Sequence, residues 1–344
     1  MAHSSINAGV DFLYALLHGW WASSAQGERL MTLTRSATED NFFHQLQSMG
    51  IVTIGESRQV HVALILRQYG RLCKLAEAAG PAVAQYVQAL LCTLESENFK
   101  ALMNYRFFPE REGHLVDFLI PFPGECTREA DLVELLDIPT LDEFMKRLRP
   151  EFQTPEYCAI ARQLEEDRDI MRAECALDNL NIRAEIQAIA HLPLSMRAVA
   201  RSLLAAEIDT TNVCTLLRNA NFYHMDAKRL AVAWIDGGAG RVSRALWDRL
   251  ADAPDASAVI EALPSEFAEP LRTTAFDTTS RMENILRCRQ MRHARKAFYD
   301  SGSPTHAIPA YPFLLRMETI NLGRIYEGIR FSVSAREIEE MMIQ

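Results

Sequence analysis

Apolar residues recur at three- and four-residue intervals along most of the chain, the spacing that lines one face of an α-helix. This pattern predicts long helices over about 60–79, 82–105, 156–190, 194–218, 278–298 and 311–329. No segment carries the sustained two-residue alternation of a half-buried strand. Turn residues mark the loops at Pro109 to Gly113, Pro121-Phe122-Pro123-Gly124, Gly237-Gly238-Ala239-Gly240 and Ser301-Gly302-Ser303-Pro304. The expected fold is therefore all-α.

The helical pattern also repeats itself. Leu136-Asp137-Ile138-Pro139-Thr140 leads to Leu148 and Glu151-Phe152, and 115 positions further on Ala251-Asp252-Ala253-Pro254-Asp255 leads to Leu263 and Glu266-Phe267. In each copy the Asp-x-Pro turn stops one helix, and Thr140 or Asp255 is placed to cap the next. Thr140-x-x-Glu143 and Ser334-x-x-Glu337 both read as capping boxes, the second starting a last short helix to Ile343. A further landmark is an acid three residues before an Asn that opens an apolar stripe: Glu95/Asn98/Phe99, Asp209/Asn212/Val213 and Glu318/Asn321/Leu322, spaced by 114 and 109 positions. The same acid-x-x-Asn spacing occurs outside this register at Asp178/Asn181. Positions three apart share a helix face, so each acid is expected to accept a hydrogen bond from its Asn amide and to serve structure rather than catalysis. The period, about 110 residues, divides the chain into three similar helical domains, expected at 1–150, 151–264 and 265–344.

Composition narrows the function. With 344 residues, 49% of them hydrophobic and 24% charged, the chain can bury a sizeable core. Only 15 glycines stand against 14 prolines, too few for a fold rich in phosphate-cradling loops. The net charge of −9 opposes nucleic-acid binding and broad adsorption to anionic lipid. Seven scattered cysteines, Cys73, Cys92, Cys126, Cys158, Cys175, Cys214 and Cys288, never at C-x-x-C spacing, read as buried free thiols of a reducing cytoplasm. Met1–Asp11 has no basic region of the signal-peptide kind. The longest strongly apolar stretch, Phe12–Gln26, is interrupted by His18, Ser23 and Ser24 and falls short of a bilayer span of ~20 residues.

Catalytic signatures are few. Gly237-Gly238-Ala239-Gly240 lacks the lysine and the preceding strand of a phosphate loop and reads as a flexible connection. No histidine stands three residues after a glutamate, as a diiron bundle requires, and zinc-protease and zinc-finger spacings are missing. Glu165-Glu166-Asp167-Arg168-Asp169 could hold Mg²⁺ for a pyrophosphate substrate, but Arg162, Arg168 and Arg172 are interleaved with the acids and favour a solvated helix face. Trp20-Trp21 is either a docking surface or a packed core pair. No catalytic, metal or cofactor-binding residue is expected.

Three stretches carry a family resemblance: Ala206-Glu207-Ile208-Asp209-Thr210-Thr211-Asn212-Val213-Cys214-Thr215-Leu216-Leu217-Arg218, Met317-Glu318-Thr319-Ile320-Asn321-Leu322-Gly323-Arg324-Ile325-Tyr326-Glu327-Gly328-Ile329-Arg330, and the start Asp11-Phe12-Leu13-Tyr14-Ala15. They resemble the C-type stalk proteins of rotary V-type/A-type ATPases, the family of the eukaryotic d-type stalk protein. The resemblance spans nearly the whole chain and departs from the family pattern most at Glu56–Arg71 and Glu110–Arg128. It implies a funnel-like socket of three helical domains, attached peripherally to the membrane through its complex. In that setting the chain seats the central-shaft subunits D and F on the proteolipid ring without catalysis of its own. From composition and repeat alone, a helical scaffold of another multiprotein assembly is an equal reading.

Overall fold

The computed structural model describes residues 2–53, 59–108, 115, 118–123, 129–237, 240–272, 279–300 and 302–344. Among them the regular structure is all helical, with no strand. The chain opens with α1 (Ala2–Ala22), α2 (Glu28–Leu33), α3 (Glu39–Ser48), α4 (Val60–Ala78) and the long α5 (Pro81–Phe107). Two short helices, α6 (Glu129–Leu136) and α7 (Leu141–Arg147), lead to α8 (Pro155–Asp167), α9 (Ile170–His191) and the long α10 (Leu194–Arg218). The short α11 (Ala227–Leu230), α12 (Arg244–Leu250), α13 (Ala256–Ala262) and α14 (Ser265–Arg272) precede α15 (Thr279–Phe298), the long α16 (Ala307–Arg330) and α17 (Ala335–Glu340).

Local chemistry sets many of these boundaries. The hydroxyl of Thr140 accepts from the Glu143 amide and the carboxylate of Asp255 from the Ala258 amide, so both Asp-x-Pro turns end in a side-chain cap. Thr38 does the same for α3, accepting from the Asn41 amide. Ser334 and Glu337 form a full capping box at α17, which ends at Glu340, before Ile343. The helix expected over 156–190 is two helices. Arg168 adopts the left-handed conformation (φ 54°), its guanidinium donates to the Phe107 carbonyl, and Asp169 restarts the chain by capping α9.

Four hydrophobic clusters organise these helices. The central one joins Leu17 and Trp21 of α1, Leu75 of α4, Val87 of α5, Ile189 of α9, Leu204 of α10, Phe298 of α15 and Leu314 of α16. The other three are peripheral, and each takes the C-terminal half of one long helix. Phe99, Leu102 and Met103 of α5 pack with Phe144, Phe152 and Ala161. Val213, Leu216 and Leu217 of α10 pack with Trp247, Val259 and Phe267. Leu322, Ile325 and Tyr326 of α16 pack with Leu30, Phe42, Ile51, Leu64, Ile338 and Met342. Each fully buried Leu, Ile or Phe contributes about 1.5–3 kcal/mol. The third cluster therefore ties residues 25–52, Val60 and Leu64 firmly to residues 322–342.

Some expectations hold and others need correction. Of the six free cysteines among the described residues only Cys214 is buried; the others are half-buried, and Cys126 lies outside the described residues. Trp20-Trp21 is a packed pair: Trp21 is 1% exposed and meets Phe298 edge-on, while Trp20 rests on Tyr311 beneath the guanidinium of Arg71. In the acidic run, Asp169 pairs with Arg229 and Asp167 with Arg172, but Arg162 reaches Asp142 instead of its own helix. The loops at 109–113 and Gly124, most of 110–128, residues 54–58 and Ser301 lie outside the described residues.

Candidate functional site

The three acid-x-x-Asn pairs sit where each long helix passes from the central cluster to its peripheral one. On α5 they fall between Leu91 and Phe99, on α10 between Ile208 and Val213, and on α16 between Met317 and Leu322. A polar residue at such a seam is tolerated only if its hydrogen bonds are complete.

The asparagines complete theirs in one way three times. Asn98 donates to the carbonyl of Ile120 and accepts from its amide, both at 2.8 Å, across 22 residues. Asn212 does so with Ile235 at 3.0 and 3.1 Å across 23 residues. Asn321 does so with Ile343 at 2.8 and 2.8 Å across 22 residues. Each side-chain amide thus clamps both polar groups of one peptide segment that no helix satisfies. All three asparagines are at most 2% exposed.

The expected bond from Asn to its acid is not formed. The reason is competition: the clamped isoleucine offers a donor and an acceptor together, and the acid finds stronger partners elsewhere. Glu95 accepts from the Tyr69 hydroxyl at 2.8 Å and from Arg149 at 3.0 Å. Asp209 accepts from the amides of Arg241 and Val242 at 2.6 and 3.0 Å; burial raises its pKa, opposed by those two bonds. Glu318 accepts from the Ala25 amide at 2.7 Å and from Arg67 at 2.9 Å, with both side chains of the ion pair nearly fully buried. Like the asparagines, the acids hold distant chain segments against a long helix. Asn181 of the out-of-register pair bonds instead to Ser96 and Tyr157.

The clamp partners were missed in the sequence, although a signal was present: an isoleucine stands 22 or 23 positions after each landmark asparagine. The glycine loop belongs to the same construction. A Cβ on Gly240 would lie 2.3 Å from Oδ1 of Asp209, and one on Gly237 2.1 Å from Cδ1 of Ile208. Glycine at Gly237 and Gly240 lets the backbone at these two positions approach α10 closely, while Gly238 and Ala239 lie outside the described residues.

Two further polar features flank the clamps. Between α5, α9, α10 and α16 a cavity of about 70 Å³ is lined by Tyr86, Glu185, Glu207 and Arg316. Arg316 pairs with Glu207, while burial and the Glu207 charge push Glu185 up to about 8 against the pull of Arg316. Between α10 and α15 runs a groove of about 420 Å³ lined by Arg201, Arg241, Arg289, Gln290 and His293. Among the described residues no three His, Cys, Asp or Glu side chains group as metal ligands, and no helix is long and apolar enough to cross a membrane.

No curated protein matches the sequence. A family model described as ATP synthase (C/AC39) subunit matches residues 21–341, a span that holds every clamp except the Ile343 end of the third. With nearly the whole chain covered by that match, the protein belongs to the C/AC39 family of V/A-type ATPase subunits.

Proposed function

We propose that the chain is a non-catalytic central-stalk subunit of its rotary ATPase, seating the D–F shaft on the proteolipid ring and so coupling ATP chemistry to proton or sodium transport. The observation that carries this reading, beside the family match, is the threefold clamp: three long helices share one core and each is pinned at its exit from that core by two hydrogen bonds of a buried asparagine. A torque-bearing coupler needs such stiffness, because a seam that slips dissipates rotation as internal motion. We assign one helical unit to each clamp, around residues 1–150, 151–264 and 265–344, with residues 25–52 serving the third. These units form a funnel-like socket on the cytoplasmic side, attached to the membrane through partners.

Co-elution tests this directly. The purified chain is expected to form a stoichiometric complex with the D–F shaft on a sizing column, and a ternary complex on addition of detergent-solubilised ring. Elution alone at both stages overturns the coupling role and leaves a helical scaffold of another assembly.

A further inference from the structure

The groove between α10 and α15 is not used by any clamp. Arg201 and Asp209 of α10 and Arg289 and Gln290 of α15 face it, and Arg241 and Glu266 also line it. The charges inside it are unequally satisfied. Asp209 is held by the Arg241 and Val242 amides, and Glu266 receives Arg289 at 2.8 Å and Arg241 at 3.5 Å. Arg201 is exposed and has no carboxylate partner among the described residues, while three-quarters of the Arg241 side chain remains in solvent (74%). Both acids are thus engaged and cationic capacity is left over.

A second observation points the same way from the opposite polarity. Gln290 is 4% exposed and donates to the Ala206 carbonyl at 2.8 Å, yet its Oε1 has no hydrogen-bond partner. A buried acceptor left unpaired calls for a donor. The groove therefore asks for an anion and an N–H together, and a fully ionised small anion supplies only the first. An extended peptide with acidic side chains supplies both within one residue. Dimensions agree: Arg201 to Asp209 spans two helical turns, about 12 Å at 1.5 Å per residue, which is the length of roughly four extended residues.

We infer that this groove is a docking site for a short acidic segment of a partner protein, whose carboxylates meet Arg201 and Arg241 and whose backbone N–H meets Gln290. The inference deepens the reading of the chain as an assembly subunit, but its test requires no shaft or ring. A fluorescein-labelled acetyl-Asp-Glu-Asp-Glu peptide is titrated with the full-length chain and followed by anisotropy, beside the Asn-Gln-Asn-Gln peptide and with inorganic phosphate as competitor. The acidic peptide is expected to bind, the neutral one not, and Arg201→Glu to weaken binding by about tenfold. Arg336→Glu, on the exposed face of α17, is the control and leaves binding intact. Unaltered thermal melting of the Arg201→Glu chain excludes unfolding as the cause. Absence of binding, equal binding of the neutral peptide, or indifference to Arg201→Glu overturns the proposal, as does displacement by phosphate at equal concentration, which marks a small-anion site. If the peptide fails while the shaft co-elutes, the groove alone is wrong; if the shaft fails while the peptide binds, the coupling role alone is wrong.

Discussion

Asn212 is itself fully buried and makes two hydrogen bonds to half-buried Ile235, and a leucine in its place leaves both the N–H and the C=O of Ile235 without a partner. The expected cost is about 1–3 kcal/mol, read as a lower urea midpoint at unchanged slope. The glycines beneath the loop separate into two grades. The carboxylate of Asp209 is fixed by two amides and has nowhere to retreat from an added methyl at Gly240, whereas the atom that meets Gly237 is the far end of the Ile208 side chain. Gly240→Ala is therefore expected to destabilise by about 1–3 kcal/mol, and Gly237→Ala by less, in parallel denaturation experiments. Much of this was legible in the sequence, since the acid and the Asn stand at regular positions. Their bonding was not, because helical spacing places two side chains on one face without saying what arrives opposite them. Ile120, Ile235 and Ile343 arrive from loops whose course no local pattern fixes.

At the scale of the element, each long helix serves two cores and crosses between them at a polar seam. The lengths of α5, α10 and α16 and the caps at Thr140, Asp255 and Ser334 follow from apolar spacing and capping chemistry. The break between α8 and α9 does not, because Arg168 takes a left-handed conformation without the Gly or Asn that usually announces one. Its reward lies outside the helix, in the Phe107 carbonyl and the ring of Phe107 beneath its guanidinium. Where the long helices meet, Glu185 has a folded-state pKa of about 8, raised above the ordinary carboxyl value by burial and by Glu207. An acid raised on folding contributes stability that is present below its unfolded pKa, about 4.3, and lost as pH climbs to the folded value. Across that window the wild-type urea midpoint is expected to fall relative to that of Glu185→Gln, which cannot ionise. Parallel curves for the two proteins would sink this assignment.

The whole molecule is closed by contacts that join its beginning to its end. Glu318 reaches the amide of Ala25, Arg67 neutralises Glu318, and the third peripheral cluster is built from both ends of the chain. A linear count of repeats assigns residues 25–52 to the first unit, so this closure is invisible to it; only long-range packing shows where those residues serve. If the cluster is one cooperative body, the amides of Leu33, Phe42, Leu322 and Ile325 exchange with solvent at a common free energy in native-state hydrogen exchange, and a single substitution in α3 lowers all four together. Independent exchange of the two ends would show that they only touch.

The bond between Ala25 and Glu318 spans 293 residues of sequence. On a ribosome adding ~5–20 residues per second, the first partner waits about 15–60 s for the second. Throughout that interval Leu30, Leu33, Phe42 and Phe43, all buried in the finished protein, lack the α16 and α17 side chains that cover them. The nascent chain thus carries an uncovered apolar surface from the emergence of α2 and α3 until α16 and α17 follow, and its yield in the cell depends on what shields that surface meanwhile.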